Sequence, residues 1–274
     1  MLGTVNRAGR VLDLFSGECP EWGATAVAQE LDIAKSQAHE LLLSLADIGL
    51  LQRAGSGRYR LGWRVAALHS LFLETSPLGR SVAPVLRTLG ARYGETLRLA
   101  MWGPGTAICV AARAGSHADA VSPGRVGARL PGHCTSAGKV LLASRSQHDI
   151  SLALDGDGLT PMTARTIVTR ERLRDELEDV HRRGFAVEDQ EHVAATCGVA
   201  APIRDAGGEV IAALGMSVPA RRWQRSRHEY TQALVAAAAL ASKPVRGHRP
   251  ERQGRRVLSA VPVPAGADLG LRSA

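Results

Sequence analysis

The chain has 274 residues, of which 45% are hydrophobic, and it carries a formal net charge of +8. This length and composition predict a globular protein of one large domain or two smaller ones. The sequence contains no stretch of about 18 apolar residues and no signal-peptide pattern, so we expect no transmembrane helix and no membrane partner. The four cysteines form neither a CxxC pair nor a disulfide framework, which predicts reduced thiols in a cytoplasmic protein.

The positive charge is distributed unevenly along the chain. Residues 1–63 contain six Lys and Arg against seven Asp and Glu, whereas residues 244–274 contain six against two. Attraction to phosphate is local at cellular salt concentrations, so the basic composition is no evidence that the first part of the chain binds DNA. Such evidence has to come from the positions of individual cations.

The first sixty residues have the periodicity of three helices followed by a hairpin. Helices are predicted over residues 6–15, 25–31 and 35–48. Asn6 suits the N-cap of the first helix. Two strand-like runs, 50–53 and 58–61, flank two glycines and predict a β-hairpin. About three residues separate the second and third helices, which is the spacing of a helix-turn-helix, and the hairpin lies where a wing would follow.

A recognition helix buries one face on its own domain and presents the other to base edges in the major groove. In helix 35–48 the positions expected to be buried are Ala38, Leu41, Leu42, Leu45 and Ile48. The candidates for contact with bases and phosphates are Lys35, Ser36, Gln37 and His39. The candidates on the hairpin are Arg53, Arg58, Tyr59 and Arg60. A solvated polar surface that never touches DNA is the alternative interpretation.

Beyond the hairpin the pattern changes to mixed α and β. Helices are predicted over residues 63–74, 78–93, 136–144, 170–183 and 223–242. Strands are predicted over residues 96–102, 107–112, 185–188, 199–204 and 210–217. Glycine-rich turns between neighbouring strands favour antiparallel hairpins over parallel crossovers, so the expected fold class is α+β.

Five motifs occur in order along the chain: AKSQAHELL at 34–42, GRYRLG at 57–62, RLPGHCTSAGKVLLA at 129–143, GFAVEDQE at 184–191 and AAPIRD at 200–205. Together they resemble the IclR-type bacterial transcriptional regulators over about residues 4–242. The resemblance implies a winged helix-turn-helix domain over 1–62, a linker helix over 63–76 and a GAF-like effector-binding and oligomerisation domain with a curved antiparallel sheet over 77–243. The remaining residues, 244–274, are rich in Pro, Gly and Arg and are predicted to be disordered.

The same resemblance implies a function. Such a protein would bind double-stranded operator DNA as a homodimer or homotetramer, more often as a repressor than as an activator, and would respond to a small-molecule effector. Many members of this family sense small organic acids. Backbone N–H groups at the start of the helix near Ser136 would suit the carboxylate of such an effector.

The candidate effector-binding residues come from three parts of the second domain. One wall is expected from Cys134, Thr135, Ser136, Ala137 and Gly138. The opposite wall is expected from Gly198 and Ser217, with Glu188 and Asp189 at the rim. Cys197 lies one residue from Gly198, so on a strand it would face the other side. Ordinary tight packing is the alternative explanation for the small residues in this set.

The sequence departs from the family pattern at the recognition helix. Ala34 replaces a usual Pro and Asp32 replaces a frequent Gly, both in the turn. Glu40 replaces a common Arg or Lys and reverses a charge close to the phosphates. The contact with the DNA backbone that the family makes at this position is therefore in doubt.

Three other functions compete with this interpretation. An enzyme is disfavoured because His133 and Cys134 are adjacent and would point apart. No G-x-S-x-G, Walker loop or H-E-x-x-H motif is present either, so no catalytic residue or cofactor is expected. A metal or redox sensor could use His133, Cys134, His192 and Cys197, but no short ligand pair fixes an ion, and no metal is expected. A protein-binding module with an inactive helix-turn-helix is the third possibility.

Overall fold

A computed structural model of the chain describes residues 3–103, 105–117 and 124–242. The tail predicted to be disordered, 244–274, lies outside these described residues. The chain divides into two compact units between Gly79 and Arg80. Among the described helices, none combines the length and the apolar composition of a membrane span.

The first unit contains four helices and a small antiparallel sheet. Its elements are α1 (Gly3–Asp13), β1 (Trp22–Gly23), α2 (Ala24–Leu31), α3 (Lys35–Asp47), β2 (Leu51–Gly55), β3 (Arg58–Leu61) and α4 (Trp63–Thr75). The strands are ordered β1-β3-β2, so the hairpin β2–β3 forms a wing and the two-residue β1 pairs with its second strand. The hairpin was expected from the sequence, whereas β1 was not, because a strand of two residues is too short to show alternation.

The core of this unit forms between α1, α2, α3 and the hairpin. It contains Val11, Val27, Leu42, Leu51 and Tyr59. Two expectations at helix ends are wrong. Asn6 lies inside α1 and is not its N-cap, because the helix begins at Gly3. Ile48 follows the last residue of α3 and is 50% exposed, so it does not belong to the buried face.

The turn between α2 and α3 explains one departure from the family pattern. Asp32 has a φ of 51°, in the left-handed region that glycine adopts most easily. Aspartate is among the few other residue types that visit this region routinely. Its backbone N–H donates to the carbonyls of Ala28 and Gln29, which closes α2 before α3 begins.

The second unit is built on a six-stranded antiparallel sheet. Its helices are α5 (Pro77–Tyr93), which begins before the division, α6 (Ser136–Ala143), α7 (Gln147–Asp157), α8 (Arg170–Arg183) and α9 (Ala220–Ser242). Its strands are β4 (Thr96–Trp102), β5 (Ala107–Arg113), β6 (Arg129–Leu130), β7 (Ala186–Asp189), β8 (Thr196–Arg204) and β9 (Val210–Pro219). The strand order is β6-β5-β4-β9-β8-β7, and every pairing is antiparallel, which confirms the predicted α+β class.

The two faces of this sheet are covered by different helices. α6 packs against five strands, and Ala137 of α6 shares a buried cluster with Ala100, Ala200 and Ala213 of the sheet. α9 packs against β8 and β9 and covers the other face. α8 packs on the outside of α6. Because side chains alternate along a strand, every second residue of β4, β8 and β9 faces α6.

Candidate functional site

The exposed face of α3 carries the residues expected to contact DNA. Lys35, Ser36, Gln37 and His39 are all exposed, while Ala38 between them is fully buried. The N-cap position is held by Ala34, which has no side-chain oxygen to accept from the first turn. Backbone N–H groups at the start of a helix that lack a side-chain acceptor suit a phosphate. Glu40, the charge-reversing residue, is also exposed and lies on the same helix.

The wing carries three exposed arginines and a buried aromatic ring. Arg53, Arg58 and Arg60 are exposed, and the Arg58 guanidinium donates to the carbonyl of Glu21 at 3.4 Å. Tyr59 is only 4% exposed and belongs to the core of the first unit. Strand alternation places Arg58 and Arg60 outward and the residue between them inward. The prediction that Tyr59 faces DNA is therefore corrected.

In the second unit a row of residues crosses three strands beneath the start of α6. Glu188 of β7 lies opposite Gly198 of β8, and Gly198 lies opposite Ser217 of β9. A Cβ placed on Gly198 would lie 2.8 Å from Oγ of Ser136 and 3.0 Å from Oε2 of Glu188. The strands and the helix therefore bring Ser136, Glu188, Gly198 and Ser217 together, all of which were expected in the effector site.

Glu188 is 6% exposed, so it lies inside this cluster and not at its rim. Its carboxylate accepts hydrogen bonds from the backbone N–H of Ser136 and, at 3.3 Å, from that of His192. Burial raises the pKa of Glu188 to about 7, although both N–H groups favour its ionised form. The chain's own carboxylate thus occupies a helix N–H group that was expected to face the effector.

The other residues at the start of α6 serve the packing of the helix. Thr135 caps it: its Oγ1 accepts from the N–H of Gly138 at 3.1 Å and donates to the carbonyl of Pro131 at 2.8 Å. A Cβ on Gly138 would lie 2.5 Å from that carbonyl, and Ala137 packs into the buried core. Close packing accounts for both small residues, as the alternative explanation held.

Asp189 and Cys197 lie on the opposite side of β7 and β8 from Glu188 and Gly198. They pair across the two strands, and the Cys197 thiol donates to Oδ1 of Asp189 at 3.3 Å. The Asp189 side chain is exposed and forms an ion pair with Arg165 at 2.6 Å. The structure therefore separates Asp189 from the effector candidates and places Cys197 on the face that its position predicted.

Sequence reasoning missed Arg98, which is half-buried at this site. Arg98 of β4 is opposite Gly215 of β9, so it shares the sheet face that α6 covers, and its Nη1 donates to Oγ of Ser217. Burial lowers its pKa, while the negative charge of Glu188 acts in the opposite direction. The sequence did contain a signal for it, because β4 reads TLRLAMW and has a single arginine in an otherwise apolar strand. A charged residue in a buried strand requires a partner.

Lys139 was also missed, although it lies within one of the quoted motifs. It is fully buried on α6 and donates to Glu191 at 2.7 Å and to the carbonyl of Val187 at 3.1 Å. These bonds hold the segment that contains Glu188 against α6. The role of Lys139 is therefore to position its neighbours, because its ammonium group is already engaged.

The cysteine and histidine side chains do not form a metal-binding or redox pair within the described ranges. No three His, Cys, Asp or Glu side chains of residues 3–103, 105–117 and 124–242 come together as metal ligands. Nε2 of His133 is 3.0 Å from the carbonyl of Thr160. Cys134 is fully buried, and burial raises the pKa of both Cys134 and Cys197 to about 12, which keeps these thiols protonated.

The chain combines a helix-turn-helix and a hairpin wing with an α+β domain that contains a buried polar cluster. This combination defines a two-domain DNA-binding transcriptional regulator. The family model of the IclR helix-turn-helix domain matches residues 4–55, and that of the bacterial transcriptional regulator IclR C-terminal domain matches residues 71–243. The chain therefore belongs to the IclR family of bacterial transcriptional regulators. Its relatives are regulators and not enzymes.

Individual relatives are similar over most of their length. The transcriptional repressor IclR of Escherichia coli is 30% identical over 250 residues, which are 87% of this chain and 91% of that protein. The crystal structure of an IclR homologue from Microbacterium hydrocarbonoxydans in complex with 4-hydroxybenzoate has a TM-score of 0.72 and 26% identity, covering 89% of this chain and 99% of that one. The IclR transcriptional regulator from Alicyclobacillus acidocaldarius shares the fold, with a TM-score of 0.77. It is 22% identical, and the match covers 89% of this chain and 98% of that one.

Proposed function

We propose that this regulator represses transcription by binding operator DNA as a homodimer or homotetramer, and that a small organic acid changes its affinity for the operator. The observation that carries the proposal is the exposed polar face of α3 beside the arginines of the wing. A repressor is supported by the 30% identity to the repressor IclR of Escherichia coli. DNA as the partner makes the cytoplasm its expected location.

Within the DNA-binding surface, α3 and the wing have different tasks. Gln37 and His39 can form hydrogen bonds with base edges in the major groove. Lys35 and Ser36 at the start of α3 suit phosphate oxygens. The three exposed arginines of the wing, Arg53, Arg58 and Arg60, suit the DNA backbone or the minor groove.

The proposed effector site is the polar cluster between α6 and the sheet. Ser136, Glu188, Gly198 and Ser217 converge there, beside Cys134 and Thr135 at the start of the helix. Buried polar groups that converge beneath a helix are typical of sites that bind small polar molecules. The homologue crystallised with 4-hydroxybenzoate supports an organic acid as the effector class.

Self-association is supported by α4, the helix expected to link the two domains. None of its residues is buried, although Trp63, Leu68, Leu71 and Phe72 are large, apolar and exposed. Exposed apolar residues on one helix are typical of surfaces that a second subunit covers. We propose that a second copy of the chain covers α4, which would bring two recognition helices to a palindromic operator.

The experiment that tests the proposal is footprinting of the purified full-length protein on the DNA around its own gene, with a panel of organic acids added. We expect protection of one palindromic site, and one acid should change the concentration needed for half protection. The absence of any protected site would contradict DNA binding. Protection that no acid alters would contradict the effector class alone.

A further inference from the structure

The polar cluster of the second unit has an acidic end and a basic end. Glu188 stands at one end, on β7, and Ser217 stands two strands away, on β9. Arg98, on the next strand, reaches Ser217 with its guanidinium group. Neighbouring strands are about 4.8 Å apart, so the backbone positions of Glu188 and Ser217 are roughly 10 Å apart.

Between these two ends the sheet presents glycine to α6. Gly198 lies directly between Glu188 and Ser217, and Gly215 lies directly opposite Arg98. Of the four positions of β8 and β9 in these two rows, Gly198 and Gly215 have no side chain, and the other two are the small residues Ala200 and Ser217. A row of this kind matches a small molecule that carries unlike polar groups at its two ends.

The start of α6 is less suited to binding the carboxylate of a ligand. The N–H of Ser136 already donates to Glu188, and the N–H of Gly138 donates to Oγ1 of Thr135. A second carboxylate placed there would also meet the negative charge of Glu188, and like charges at close range repel. An arginine side chain carries several N–H donors in a planar arrangement that matches the two oxygens of a carboxylate.

We propose, on the basis of the effector function proposed above, that Arg98 and Ser217 bind the carboxylate of the effector and that Glu188 accepts a hydrogen bond from a hydroxyl group at its other end. The site then selects small hydroxycarboxylates over simple carboxylates and over neutral hydroxy compounds. Arg98 is the residue that determines the preference for an acid, and Glu188 is the residue that determines the preference for a hydroxyl group.

The test measures binding of matched small molecules to the full-length protein by calorimetry. The aromatic set is 4-hydroxybenzoate, benzoate and 4-hydroxybenzamide, and the two-carbon set is glycolate, acetate and glycolamide. The variants are Arg98→Gln, Arg98→Lys and Glu188→Gln. Arg129→Gln is the matched control, because Arg129 is an exposed arginine on β6 of the same sheet.

In at least one set the wild-type protein should bind the hydroxyacid about tenfold or more tightly than its amide, because a charge-assisted hydrogen bond is lost in the amide. Arg98→Gln should reduce this preference to about twofold or less, and Arg98→Lys should retain part of it because the charge remains. Arg129→Gln should leave the preference unchanged. Glu188→Gln should instead reduce the preference for the hydroxyacid over the acid that lacks a hydroxyl group.

Three outcomes would overturn the assignment. If Arg98→Gln keeps the preference for acid over amide, another group binds the carboxylate. If Arg98→Lys and Arg98→Gln weaken acid and amide equally, Arg98 supports the fold and does not bind the ligand. If none of the six compounds binds the wild-type protein, the effector class fails together with this assignment, whereas operator protection in the footprinting experiment would still stand.

Discussion

Glu188 lies beneath the start of α6, where two backbone N–H groups donate to its carboxylate. These donors stabilise the ionised form, yet burial has the larger effect and raises the pKa of Glu188 to about 7. Lys139, which holds the same segment, acts against this rise, and Glu191 adds to it. The unfolded chain lacks the burial, so folding stability depends on pH through this group.

The first prediction concerns Glu188→Gln. The pKa of Glu188 is higher in the folded than in the unfolded chain, so the native state binds the proton more tightly. The contribution of Glu188 to folding stability therefore becomes less favourable as pH rises from about 4.5 to 7. Relative to the variant, the wild-type protein should lose about 3 kcal/mol of unfolding free energy between pH 4.5 and pH 8. Urea unfolding across this range tests it, with the exposed Glu178→Gln as control. A difference between wild type and Glu188→Gln that stays constant with pH would contradict the assignment.

The second prediction separates base reading from backbone contact. Gln37→Ala should relax base preference, because an amide that contacts a base edge typically contributes about 1–3 kcal/mol of discrimination. Arg58→Ala should weaken binding to all sequences alike, because phosphate contacts carry no sequence information. Competition with mismatched duplexes measures both effects. If Gln37→Ala loses affinity and keeps its discrimination, Gln37 does not read bases.

The sequence alone predicted residue types at these sites better than it predicted their orientation. The polar face of α3 followed from helical periodicity, and the outward arginines of the wing followed from the hairpin. Tyr59 was grouped with them because it lies between Arg58 and Arg60 in the sequence, whereas alternation along β3 would have placed it inward. Arg98 could not be connected to Ser217 before the strand register was known, because these residues are far apart in the chain.

Helix α3 has thirteen residues and combines a buried face with an exposed one. Its buried residues contact the core that α1, α2 and the hairpin share, so the orientation of the exposed face depends on that packing. A recognition helix needs this rigidity, because its side chains must reach base edges together.

The third prediction tests this dependence. Leu42→Ala removes a fully buried side chain of α3 and should lower the free energy of unfolding by about 2–5 kcal/mol. Ile48→Ala truncates an apolar side chain that is half exposed just beyond the same helix and should cost less than about 1 kcal/mol. Urea unfolding followed by circular dichroism compares the two variants. Equal losses would show that Ile48 is buried in solution after all.

Helices and strands with clear periodicity were predicted to within a few residues. The exceptions have physical reasons: β1 and β6 contain two residues each and show no alternation, and α7 has a weak apolar pattern. The antiparallel pairing of neighbouring strands followed from glycine-rich turns. The strand order and the placement of α6 over the sheet depend on tertiary contacts that no local pattern records.

We assign DNA reading to the first unit of the chain and propose effector binding for the second. A ligand can change operator affinity only if it binds the two conformations of the protein with different affinity. The coupling is reciprocal, so operator DNA must change effector affinity by the same factor. This reciprocity gives a test that does not depend on knowing the sign of regulation.

The salt dependence of operator binding provides the fourth prediction. We expect Lys35 and the wing arginines Arg53, Arg58 and Arg60 to contact about four to six phosphates per dimer. The logarithm of operator affinity should then fall with the logarithm of salt concentration with a slope of about −4 to −5. A slope near zero on the protected fragment would mean that these cations do not contact the DNA backbone.

We propose that this chain couples operator binding to the binding of a small organic acid. The most direct measurement is a fluorescence anisotropy titration of the full-length protein on the protected operator fragment, with and without the tightest-binding acid of the panel. We expect the acid to change operator affinity by about fivefold or more. Arg98→Gln should remove that change and keep the operator affinity measured without acid. An operator affinity that is the same with and without an acid that demonstrably binds would contradict the claim.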